Sequence, residues 1–212
     1  MIQKKRLHAF ARRYSEALDY AAKKHAKQLR KGTRIPYIAH PIAVSSLVLE
    51  HGGGEDEAIA ALLHDIPEDC GGRPVLDEIR RKFGKNVALI VAGCTDTLET
   101  PKPPWKERKE EYIAHVRRAN RSTRLVSAAD KFHTARSILS DYRDLGEKVW
   151  KKKDFSGGKA GQLWYYRALV YAFEDRGRSN HLVRELDRVV TEIERLAEVR
   201  PGASQARRRR RS

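Results

Sequence analysis

Apolar positions recur at helical spacing along nearly the whole chain. Leu7, Phe10, Ala11, Tyr14, Ala17, Leu18, Ala21 and Ala22 return every three or four residues, which draws one apolar stripe along a helix over about residues 3–29. A loop is predicted at residues 31–36, where Gly32 and Pro36 punctuate the pattern and proline biases Ile35 away from helical geometry. The periodicity resumes over about 41–50, with Pro41 tolerated in a first turn, and stops at the glycines of residues 52–54. Residues 56–68 carry Ala58, Ile59, Ala61, Leu62 and Leu63 almost without interruption, so this helix is predicted to be the buried centre of the protein. Further helices are predicted at about 75–83, 85–95, 105–119, 122–152, 159–176 and 179–199. No window alternates with period two between Asn-Gly or Asp-Gly turns, so no strand is predicted and the fold class is all-α. Gly and Pro interrupt the helices at residues 71–74, 98–104 and 154–158, the loops expected to shape a pocket.

Composition narrows the class. A chain of 212 residues is long enough for one core, and 40% hydrophobic with 34% charged residues excludes disorder for most of it. We expect a single domain over residues 1–199 and a basic tail over 200–212. No stretch approaches the ~18 consecutive apolar residues of a membrane helix. The opening Met-Ile-Gln-Lys-Lys-Arg lacks the apolar centre of a signal peptide, so the cytoplasm is the expected compartment. Cys70 and Cys94 sit in no metal-binding spacing and read as reduced thiols. The net charge is +16, and removing the five arginines 207–211 still leaves +11, so an anionic ligand is expected. The arginine run reads as a solvated tail, or as a nonspecific contact to nucleic acid through released counterions. No helix-turn-helix or zinc-finger spacing accompanies it.

The candidate chemistry lies at helix ends. His64 and Asp65 close the most apolar helix, where an unpaired imidazole and carboxylate would cost several kcal/mol. A metal ion would satisfy them: His40, His64, Asp65 and Asp130 supply two nitrogens and two carboxylates, a donor set that suits Mn²⁺, Fe²⁺ or Zn²⁺ better than Ca²⁺. Any one such histidine is more often a hydrogen-bonded core residue. Glu68 and Asp69 follow His64 and Asp65 at i+4, so both pairs are expected on one helical face, with a carboxylate placed as general base. The alternative for these two acids is a solvated helix end, although acid at a helix C-terminus opposes the macrodipole.

In order and context these residues resemble the H…HD…D signature of HD-domain metal-dependent phosphohydrolases. The segments 28–42, 61–69 and 129–131, which contain RKGTRIPYIAHP, ALLHDIPED and ADK, look like the hydrolase domain of RelA/SpoT-type alarmone enzymes. The resemblance covers about residues 5–175, and the chain is too short to add a synthetase domain, so it resembles a stand-alone small alarmone hydrolase. It implies an HD-domain helical bundle that removes the 3′-pyrophosphate of (p)ppGpp with Mn²⁺. Carried over by position, His40, His64, Asp65 and Asp130 would bind the metal, while Glu68 and Asp69 would position or deprotonate water. Arg30, Lys31 and Lys131 would lie near the phosphates, and Tyr165 or Tyr166 near the nucleotide. The alternative for Arg30 and Lys31 is an exposed helix end, and helix packing accounts for part of the Trp164-Tyr165-Tyr166 run.

One departure bears on specificity. The family has Asn where this chain has Thr134, and a hydroxyl cannot supply the amide's donor and acceptor pair. Guanine and adenine alarmones, and another 3′-phosphorylated nucleotide such as NADPH, therefore stay open. The other readings are a different HD nucleotide phosphohydrolase, such as a 5′-nucleotidase, and a non-catalytic basic nucleotide- or RNA-binding protein.

Overall fold

The computed structural model describes residues 2–99, 101–151, 155–174 and 180–198, with side chains from residue 10 onward. Ten α-helices and one 3-10 helix make up the regular structure of the described residues: α1 (Ile2–Lys24), α2 (Ala39–Glu50), α3 (Glu55–Leu63), α4 (Ile66–Cys70), α5 (Gly72–Phe83), α6 (Lys85–Cys94), α7 (Trp105–Arg118), α8 (Arg121–Leu145), the 3-10 helix (Gly146–Lys151), α9 (Gly158–Phe173) and α10 (His181–Glu198). The all-α expectation holds among these residues, where a lone Leu29–Pro36 bridge is the only extended pairing. The arginine run 207–211 lies outside the described residues.

α3 is the centre, as its composition predicts. Residues 58–63 are all fully buried, and α1, α2, α6 and α8 pack around them. Each of Ile59, Leu62 and Leu63 thereby contributes about 1.5–3 kcal/mol of burial. The long helix α8 passes this centre and continues along α9 and α10, so one end of α8 belongs to the core around α3 and the other to a second group of helices. Arg124 ties that second group down, donating to the terminal carbonyls of α7 at Val116 (3.1 Å) and of α9 at Ala172 (3.2 Å). A cation suits the negative end of each helix.

Four boundaries differ from the sequence reading. The predicted 122–152 helix ends at Leu145, where Gly146 at φ 56° passes into the 3-10 helix. The predicted 56–68 helix is two: α3 ends at Leu63 and α4 begins at Ile66. Pro67 is the cause, since it has no N–H to donate back to the preceding turn. Glu68 and Asp69 therefore fall in the first turn of a short new helix instead of at the C-terminus of a long one, and the macrodipole argument does not apply to them. The expected loop at 71–74 is compressed into the turn at Gly71 and Gly72, whose φ angles of 137° and 64° suit glycine, and α5 starts at once. α1 stops at Lys24 instead of residue 29, and residues 28–37 form a tight hairpin held by Arg30 N–H to Ile35 O (2.8 Å) and Tyr37 N–H to Gln28 O (2.9 Å).

A second glycine position fixes a wall of the cavity described below. A Cβ on Gly157 would stand 2.5 Å from the ring of Trp105, the first residue of α7, so α7 and α9 approach closely only because no side chain intervenes. Gly157→Ala is expected to cost about 1–3 kcal/mol by overpacking. The check is a lowered urea midpoint at unchanged slope.

Candidate active site

Helix breaks and helix starts converge on one point. His40 stands in the first turn of α2, His64 and Asp65 occupy the α3–α4 junction, and Asp130 projects from the middle of α8. One ligand atom each of His40, His64 and Asp65 lies within 4.8 Å of the others. Asp130 joins them: its Oδ1 is 3.1 Å from His40 Nε2 and 3.7 Å from His64 Nε2, while Asp65 Oδ2 is 3.5 Å and 3.0 Å from the same nitrogens. The four residues expected as metal ligands are thus brought together.

The tautomers follow from the other ring nitrogens. His64 Nδ1 donates to Ala61 O at 2.8 Å, so its Nε2 carries a lone pair that is buried without a hydrogen-bond partner and faces two carboxylates. His40 Nδ1 lies 2.8 Å from His133 Nδ1. Burial first, and then the nearby His40, push His133 down to about 3, so it is neutral and can accept from His40. Both Nε2 lone pairs then aim at the two carboxylates. Desolvation opposes charge on every member, yet the attraction of Asp65 and Asp130 raises the His64 imidazole well above its ordinary value, so with no metal beside it the Nε2 lone pair binds a proton that a metal ion would replace, and His64 and Lys131 in turn help hold the two carboxyls well below their ordinary values. Lone pairs facing carboxylates in a buried space call for positive charge, which a divalent cation supplies, so the donor set fits the metal that an HD domain implies. Tyr37 steadies Asp65 with a 2.5 Å hydrogen bond from its hydroxyl.

His40, Asp65 and Asp130 of this cluster line a cavity of about 520 Å³. Arg30, Lys31, Lys131, Thr134, Tyr165 and Tyr166 all line it, as does Glu68. Glu68 Oε1 accepts from Lys102 Nζ at 2.8 Å, a contact from the loop expected at 98–104. Asp69 is not among the lining residues; its carboxylate accepts from Gln28 Nε2 at 2.8 Å in the hairpin base. Lys131 Nζ donates to Asp130 Oδ2 at 2.6 Å, and the Thr134 hydroxyl also points to Asp130, at 3.4 Å. The hydroxyl of Tyr165 is buried without a partner.

Several groups at the site escaped the sequence reading. Tyr37 lies in a quoted segment, and His133, which supports His40 without being among the lining residues, lies two residues past one, but neither carries a marker of its own role. Lys102, in the loop before α7, and Arg108 and Lys109, on α7, were not singled out either; Arg108 and Lys109 are drawn inward by Asp96, which pairs with Arg108 Nη1 and accepts from Lys109 Nζ at 3.0 Å. Burial, and then the neighbouring Lys131 and Arg108, lower the Lys109 ammonium to about 7. Among the described residues no helix is long and apolar enough to cross a membrane, and both cysteines are free thiols.

Comparison with known proteins gives the arrangement its relatives. The HD domain family model matches residues 17–152. The guanosine-3′,5′-bis(diphosphate) 3′-pyrophosphohydrolase MESH1 of Mus musculus is 33% identical over 172 residues, 76% of this chain and 93% of that protein. The human MESH1 matches to the same extent. Among solved structures, a metazoan orthologue of SpoT, described as hydrolysing ppGpp and acting in starvation responses, superposes with a TM-score of 0.69 at 26% identity, over 85% of this chain and 95% of its own. A Listeria monocytogenes EGD-e protein gives 0.63 at 27% identity, over 74% and 99%. With His40, His64-Asp65 and Asp130 gathered beside a cavity lined by both basic and acidic side chains, the chain belongs to the HD domain family and, within it, to the stand-alone alarmone hydrolases.

Proposed function

We propose that the protein hydrolyses the 3′-pyrophosphate of guanosine 3′,5′-bis(diphosphate) and its adenosine or triphosphate counterparts, with Mn²⁺ as the resident metal. The observation that carries this reading is the convergence of four metal-type donors beside a cavity whose lining also includes Arg30, Lys31, Lys102, Arg108 and Lys109. His40 Nε2, His64 Nε2, Asp65 and Asp130 would hold the ion. Mn²⁺ suits mixed imidazole and carboxylate donors, with Fe²⁺ and Zn²⁺ as competitors. When bound, such an ion polarises a phosphoryl oxygen and lowers the pKa of water.

The chain's own residues supply the rest. Water attacks the phosphorus joined to ribose O3′, the P–O3′ bond breaks, O3′ gains a proton, and pyrophosphate leaves with a nucleoside 5′-diphosphate or 5′-triphosphate. Glu68 takes the proton from water, and its hydrogen bond from Lys102 holds the carboxylate in place. Asp69 acts through Gln28, which steadies the hairpin that carries Arg30 and Lys31. The arginines suit bidentate phosphate contact and the lysines act as point charges. Hydrolysis of ppGpp in oxygen-labelled water tests the reading. Label in pyrophosphate and none in GDP is expected; orthophosphate as the only phosphate product would overturn it.

Lys109 adds a pH dependence. It is charged below about 7 and loses its proton as pH rises through that value, so phosphate binding by the free protein weakens on the alkaline side. A descending limb of kcat/KM near pH 7 is expected, displaced upward by more than a unit in Lys109→Arg, which stays charged.

A further inference from the structure

Away from the catalytic cavity, two histidines from distant parts of the chain face each other. His51 stands at the C-terminal end of α2 and His181 opens α10, 130 positions later, with His51 Nε2 3.3 Å from His181 Nδ1. Neither lines the cavity that His40, Asp65 and Asp130 share.

The outer ring nitrogens set the tautomers. His51 Nδ1 lies 2.8 Å from Leu47 O and must donate to it, which leaves a lone pair on Nε2. On the other ring, Glu185 Oε1 lies 3.7 Å from His181 Nε2, one turn along α10. That carboxylate, which also pairs with Arg188, favours a proton on Nε2 and so a lone pair on Nδ1. Two lone pairs thus meet across the gap, and something positive belongs between them. A shared proton is one filling, and the His40–His133 pair, which a proton bridges, closes to 2.8 Å. A metal ion is the other: two imidazole nitrogens bound to one tetrahedral Zn²⁺ at ~2.0–2.1 Å each stand about 3.3–3.4 Å apart. The observed gap matches the second. The rings also border a surface recess of about 400 Å³ lined by Glu50, His51, Asn180 and His181, which leaves room for water in the remaining coordination positions and adds the negative charge of Glu50.

We propose that His51 and His181 form a second metal site, for Zn²⁺ or another divalent transition ion that imidazole suits, which clips the start of α10 to the end of α2. Glu185 is a positioning residue that orients the His181 ring. The clip matters for the fold because α10 supplies Leu182, Val183 and Leu186 to the core directly after the clipped residue. A ligand held only by the closed arrangement opposes fraying of the helix from that end.

Equilibrium dialysis of the chelator-stripped full chain against Zn²⁺ alone, with hydrogen exchange of the α10 amides measured alongside, tests the site. His181→Gln and His51→Gln are each expected to bind one Zn²⁺ fewer per chain than the native protein, while Asp65→Asn keeps the ion at the clip. His181 is exposed, so its replacement leaves the packing intact. Glu185→Gln should weaken the clip about tenfold. With free Zn²⁺ at ten times its dissociation constant, exchange in the first turns of α10 should slow about tenfold in the native chain and stay unchanged in His181→Gln. The same number of bound Zn²⁺ in His181→Gln as in the native chain, or α10 exchange indifferent to Zn²⁺, would overturn the proposal.

Discussion

Replacing Asp65 with asparagine is expected to lower ppGpp hydrolysis by about three orders of magnitude, on the order of 4 kcal/mol of transition-state stabilisation. Asp65 is the hub of the cluster: its Oδ2 takes the Tyr37 hydroxyl at 2.5 Å and faces both Nε2 lone pairs at 3.0 and 3.5 Å. Asparagine keeps the size but offers an amide N–H to His64 Nε2, so the lone pair is satisfied by a hydrogen bond instead of a cation. Bound Mn²⁺ should fall in step with activity, and thermal unfolding should show the fold intact. Full activity in Asp65→Asn with metal still bound would remove Asp65 from the site.

Glu68→Gln is expected to reduce kcat by about 10²–10⁴-fold with KM nearly unchanged. Glutamine can still accept from Lys102, so the loop stays in place while proton acceptance is lost. A rise in KM at constant kcat would assign Glu68 to substrate binding instead. Asp69, which lies off the cavity and binds Gln28, should be far more tolerant.

How much of this was legible in the chain depends on whether a local signal existed. The amphipathic stripes of α5 (Val75, Leu76, Ile79, Phe83) and α10 (Leu182, Val183, Leu186, Val190, Ile193) are written in the spacing of their apolar residues, and both helices form where that spacing puts them. The break at His64-Asp65 was also written, in Pro67, but the unbroken apolar run on either side masked it. That break matters because it frees Asp65 at the start of α4, where it makes no side-chain cap, to face the histidines. The four-residue cluster was recognisable from its order along the chain. Its supports were not, because the contact between His40 and His133 spans 93 positions and no local pattern encodes it. Arg108 and Lys109 are of the same kind: charged residues on a charged helix look solvated until the fold brings Asp96 against them.

Pyrophosphate release from ppGpp by chelator-stripped protein, measured as Mn²⁺ is restored, decides whether the His40, His64, Asp65 and Asp130 cluster is a metal-dependent hydrolytic site. No product is expected without metal, then GDP and pyrophosphate in equal amounts as the site fills, and no such recovery in Asp65→Asn. Intact ppGpp with Mn²⁺, Fe²⁺ and Zn²⁺ alike would contradict it.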